Sequence, residues 1–91
     1  MKDGWHIKIA KGMCEDRKGN LQTTGKKMIN TRKTGKDCVY DCQRVDDKAT
    51  GCEYDAKSEE CWVHTHQVAD GDAILHTNIV CYIFVKKGMY F

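Results

Sequence analysis

Thr34-Gly35-Lys36-Asp37-Cys38-Val39-Tyr40-Asp41-Cys42-Gln43-Arg44-Val45-Asp46-Asp47 is the stretch on which the fold turns. Thr34 followed three residues later by Asp37 has the form of a capping box with Asp in the acceptor role, so a helix is expected from about Thr34 to about Asp47. Cys38, Val39, Cys42 and Val45 then recur at helical spacing and form one inward stripe. Cys38 and Cys42 lie one turn apart on that stripe, which lets a single helix be stapled twice to whatever packs against it.

Downstream, Gly51-Cys52-Glu53-Tyr54, a polar stretch from Asp55 to Glu59, and Glu60-Cys61-Trp62-Val63-His64-Thr65-His66 read as a β-hairpin beside the helix. Ala69-Asp70-Gly71-Asp72 reads as a turn. Ile79-Val80-Cys81-Tyr82-Ile83-Phe84-Val85 is a nearly continuous apolar run, too short to span a membrane, and is expected as a central strand covered on both faces. Upstream, Trp5-His6-Ile7-Lys8-Ile9-Ala10-Lys11 alternates apolar with polar residues, as a half-buried strand does, with Trp5, Ile7 and Ile9 on one face. Residues 15–36 read as a basic loop, with turns at Lys18-Gly19-Asn20 and Thr24-Gly25-Lys26 and a short strand around Met28 and Ile29. The expected architecture is α+β: one helix on a small antiparallel sheet, in a single domain spanning 1–91.

The chain has 91 residues, of which 31% are charged and 41% hydrophobic with six Cys counted among the latter. Its mean hydropathy is −0.64. A core this thin needs reinforcement, and an even number of cysteines in a short chain points to three disulfides and an oxidising, extracellular compartment. Metal ligation is the competing use, but no C-x-x-C pair occurs. Each bridge would contribute about 3 to 4 kcal/mol in the loop-entropy description. Six cysteines allow 15 pairings, which the spacing leaves open.

The run Asp37-Cys38-Val39-Tyr40-Asp41-Cys42, with Gly51-Cys52-Glu53-Tyr54 and Glu60-Cys61-Trp62, resembles the PAN/apple family, which places a C-x-x-x-C pair on its one helix before a Cys-bearing hairpin. Cys14 and Cys81 resemble the outer pair of the apple variant. The resemblance implies the pairing Cys14–Cys81, Cys38–Cys61 and Cys42–Cys52. It also implies an extracellular module that binds proteins, glycans or sulfated polysaccharides within larger adhesive or protease precursors. The family has no catalytic site to carry over. The short, acidic Glu53-Tyr54-Asp55 departs from the family, and an abbreviated hairpin is expected there.

Two ligand-binding surfaces are candidates. The net charge of +2 hides +7 over residues 1–36 and −5 over residues 37–91. Lys26, Lys27, Arg32, Lys33 and Lys36 fall within eleven residues, with Lys11, Arg17 and Lys18 as possible additions, and suit a polyanion such as a heparan-like glycan. No nucleic-acid recognition motif is present. Trp62, His64 and His66 alternate along the second hairpin strand, and Tyr54 lies across it, a grouping able to stack a sugar ring. No cofactor or metal is expected: His64 and His66 lack a third ligand, and Asp70-Gly71-Asp72 lacks the later acidic ligands of a calcium loop. No enzymatic role is expected either, with the thiols oxidised and Ser58 the one serine. The alternative function is a self-assembling module of a matrix or adhesive protein.

Overall fold

The computed structural model describes residues 5–72 and 78–86. Met1–Gly4 and the Trp5 side chain lie outside what is described. The helix, α1, spans Gly35–Val45. Thr34 is extended and its hydroxyl accepts the Asp37 amide hydrogen at 3.2 Å, which satisfies one of the open donors of the first turn. Asp46 ends the helix in an extended conformation and its side chain accepts the Lys48 amide, so α1 stops two residues before the expected Asp47.

The hairpin follows as β4 (Gly51–Asp55) and β5 (Glu60–His64). Asp55 Oδ1 accepts the amides of Lys57 and Ser58 to close its turn. Glu59 completes it with a positive φ of 63°. The remaining strands are β1 (Trp5–Lys11), β2 (Cys14–Glu15), β3 (Lys26–Thr31), β6 (Asp70–Gly71) and β7 (Ile79–Lys86). Five of them form an antiparallel sheet in the order β1-β7-β4-β5-β3, and β2 pairs with β6 as a separate ribbon. The short strand expected around Met28 and Ile29 forms as a six-residue edge strand, bulged between Met28 and Asn30. One expectation is corrected: the Ala69–Asp72 turn contains a strand.

Directly paired residues in an antiparallel sheet share a face, so the register sorts every side chain. One row on the face toward α1 runs Ile9, Tyr82, Cys52, Val63, Lys27 across the five strands. Rows on the opposite face run Ala10, Cys81, Glu53, Trp62, Met28 and Lys8, Ile83, Gly51, His64, Lys26. Each face has its own core. Cys38, Val39, Cys42, Cys52, Tyr54, Cys61, Val63 and Phe84 fill the space under the helix. Cys14, Val68, Cys81, Ile83 and Val85 fill the space under the ribbon. Strand β7 contributes Phe84 to the first and Cys81, Ile83 and Val85 to the second, which is why its sequence is apolar nearly throughout.

The architecture is thus α+β, with one helix among the described residues, an antiparallel sheet and three disulfides. The bridges are Cys14–Cys81, Cys38–Cys61 and Cys42–Cys52, the same three pairs that the resemblance implies. Two of them hold α1 to the hairpin, and the third holds the ribbon to β7. Val45, expected in the inward stripe, is 54% exposed at the last helical position, and Asp41 is buried in that stripe instead. Gly71 makes close layering possible: a Cβ there would lie 2.0 Å from the Lys11 carbonyl oxygen. Gly51 does the same beneath Val68, whose Cγ2 would be 2.7 Å from an added Cβ.

Candidate functional site

Alternation along β4 turns Cys52 and Tyr54 toward the helix and Glu53 toward the opposite face. There Glu53 pairs across the hairpin with Trp62 and is 2% exposed. Such a carboxylate must be saturated with donors to stay charged. Its Oε1 accepts the Cys14 amide at 2.9 Å and lies 3.2 Å from His64 Nε2, and its Oε2 receives the Lys26 ammonium at 2.5 Å. Burial works against ionisation of Glu53, but the hydrogen bonds from His64, Lys26 and the Cys14 amide outweigh it and hold the carboxyl below the ordinary carboxylate range.

The Lys26 ammonium also lies 4.8 Å from the centre of the Trp62 ring, a cation–π contact. Trp62 is half-buried, and Met28 beside it in the same cross-strand row is 43% exposed. The far face therefore ends, at its β5–β3 margin, in an indole fixed by a cation that is itself fixed by a buried carboxylate. Fixed aromatic surface with a polar rim is the form that ligand sites take when they are preorganised rather than assembled on binding.

The remaining expected site residues separate. Tyr54 does not stand across from Trp62. It pairs with Cys61, is buried under α1, and its hydroxyl donates to the Arg32 carbonyl at 2.6 Å. Burial, reinforced by Glu59 and other nearby acidic groups, raises the Tyr54 pKa. His64 shares the Trp62 face but is fully buried against Glu53, with Nδ1 unpartnered, so it offers nothing to a surface ligand. His66 is exposed beyond the end of β5, its ring against Gly25. A two-histidine chelate on one strand face does not form.

The basic stretch also divides. Lys26 turns inward. Arg32 hydrogen-bonds the buried Asp41 of α1, together with Asn30 at 2.9 Å. Burial opposes ionisation of Asp41, yet these bonds prevail and its pKa is lowered. Lys27, Lys33 and Lys36 remain exposed, but an extended strand separates Lys27 from Arg32 by roughly 15 Å. Two further features complete the picture. A mixed-charge cleft of about 710 Å³ is lined by Lys8, Glu15, Asp16, Arg17, Lys18, Gly19, Ala69 and Asp70. In the oxidised protein all six cysteines are bridged, so they present no thiolate.

Sequence reasoning named Trp62 and Lys26 but missed Glu53, the residue that joins them. The signal was available: strand alternation places Glu53 opposite Cys52 and beside Trp62. No protein-family model, curated protein or solved structure matches the chain.

Proposed function

We propose that this protein is a PAN/apple-like extracellular recognition module whose Trp62 face binds a glycan. The observation that carries the reading is the chain of contacts from Glu53 through Lys26 to Trp62, which holds a half-buried indole in place before any ligand arrives. An indole so held offers a sugar ring an apolar stacking surface at little entropic cost, and the polar margin offers hydrogen bonds. Three disulfides favour an oxidising, extracellular setting. No described helix is long and apolar enough to cross a membrane. The C-x-x-x-C helix and Cys-bearing hairpin, bridged in the pattern the resemblance implies, support the family reading. The exposed Lys27, Lys33 and Lys36 are a secondary contact for sulfated chains, weakened by the intramolecular ion pairs that occupy Lys26 and Arg32.

Glycan-array binding separates these contributions. Trp62→Ala is expected to abolish binding while the disulfide map and circular dichroism stay unchanged, and Lys33→Glu with Lys36→Glu is expected to leave it largely intact. Binding by the Trp62 variant at the wild-type level, or no glycan bound by the wild type, would sink the assignment. A second reading, self-assembly in a matrix or adhesive, draws on Ile9, which is 69% exposed on the edge strand β1. Sedimentation velocity decides it: association that rises with concentration and disappears in Ile9→Lys supports assembly, and a monomer at high concentration rejects it.

A further inference from the structure

Cys38 and Cys42 project from one face of α1 a single turn apart, and Cys52 and Cys61 stand on the adjacent strands beneath. All four side chains are fully buried, and their sulfurs lie within 4.8 Å of one another. Close contacts run between the two bridges as well as along them. Cys38 Sγ is 3.1 Å from Cys52 Sγ, Cys42 Sγ is 3.8 Å from Cys61 Sγ, and Cys52 Sγ is 3.9 Å from Cys61 Sγ. A tetrahedral Zn²⁺ with Zn–S bonds near 2.3 Å needs sulfurs about 3.8 Å apart. Two ligands four residues apart on a helix, facing two from a β-hairpin, is also how small zinc modules clamp those elements together.

We propose that, once both bridges are reduced, Cys38, Cys42, Cys52 and Cys61 form a tetrathiolate site for one Zn²⁺. The same four side chains then fasten α1 to β4 and β5 in either redox state. Two equivalents of a dithiol deliver four electrons and four protons to the two S–S bonds, leaving four thiols and two oxidised dithiols. Zn²⁺ then displaces the four thiol protons, which pass to solvent. Cys14, Glu53 and His64 also converge within 4.8 Å. That set offers one sulfur, and its carboxylate is engaged by Lys26 and the Cys14 amide, so the four-sulfur set is the stronger attractor for Zn²⁺.

The test is an anaerobic titration of the reduced full chain with Co²⁺ as the spectroscopic probe, followed by Zn²⁺. One equivalent of Co²⁺ is expected to give a tetrahedral tetrathiolate spectrum that Zn²⁺ abolishes. The circular dichroism should return toward that of the oxidised chain. Cys42→Ser should lose the tetrathiolate spectrum, Cys42→His should regain a tetrahedral one with a shifted band, and Cys14→Ser should behave as wild type. Absence of the tetrathiolate band, its survival in Cys42→Ser, its loss in Cys14→Ser, or metal uptake without recovery of the dichroism would each overturn the proposal.

Discussion

At Glu53, removing one carboxylate would leave the Lys26 ammonium almost buried and unpaired. That type of loss costs about 3 kcal/mol or more, far beyond what an exposed ion pair is worth. Glu53→Ala is therefore expected to lower the urea midpoint sharply and to change Trp62 fluorescence as Lys26 leaves the ring. The acid response follows from the same residue. Glu53 and Asp41 have folded-state pKa values below their ordinary ones. Their contribution is thus fully present at neutral pH and is lost as pH falls below about 4, through the depressed values. Urea midpoints measured from pH 7 down to pH 2 should stay level and then drop, and Glu53→Gln should show a shallower drop. Glu53 was half legible in the sequence. Its parity within β4 was readable, but its burial was not, because the cover over that face comes from two-residue strands and Val68, which leave no periodic signature. Tyr54 shows the matching error. Facing Trp62 in sequence looked like facing it in space, but the register pairs Tyr54 with Cys61 and turns it to the other side.

Among the elements, α1 was read nearly whole because three independent signals agree at it: the Thr34 cap, the helical spacing and the paired cysteines. Thr34→Ala removes the hydroxyl that accepts the Asp37 amide and is expected to cost about 1 kcal/mol. The loss should show as faster hydrogen exchange in the first turn, since the bridges at Cys38 and Cys42 hold the rest of the helix. Strand β3 was read as mostly loop for a physical reason. It is an edge strand with polar residues, and the bulge between Met28 and Asn30 breaks the alternation that marks a strand. The ribbon of β2 and β6 was missed altogether, since its existence depends on long-range fit. Gly71→Ala tests that fit. A Cβ 2.0 Å from a backbone oxygen forces the ribbon off β1, at a cost of about 2 kcal/mol. Exchange should accelerate at Cys14–Glu15 and Asp70–Gly71 while the five-stranded sheet stays protected.

For the molecule as a whole, the helix and strand patterns announced the α+β class and the cysteine count with apolar scarcity announced the disulfides, and the layered arrangement follows from stapling both faces of one sheet. Cys14–Cys81 closes the longest of the three loops, with a sequence separation of 67. Replacing both cysteines by Ser is expected to cost about 4 kcal/mol by loop entropy, read from urea unfolding with the other bridges intact. The same bridge sets how the module answers tension. Trp5 pairs with Lys86 at one end of the β1–β7 ladder and Lys11 with Val80 at the other, so the chain enters and leaves the sheet side by side. Pulling on those two ends opens the ladder pair by pair, like a zip, instead of shearing it along its length. The zip meets a covalent stop at Cys14–Cys81, after about 5 nm of chain has come free. Force spectroscopy on the oxidised protein should show that one short, reversible extension at low load and then stiff resistance. In a body that links cells or matrix, such a strand pair is a spring with a fixed travel.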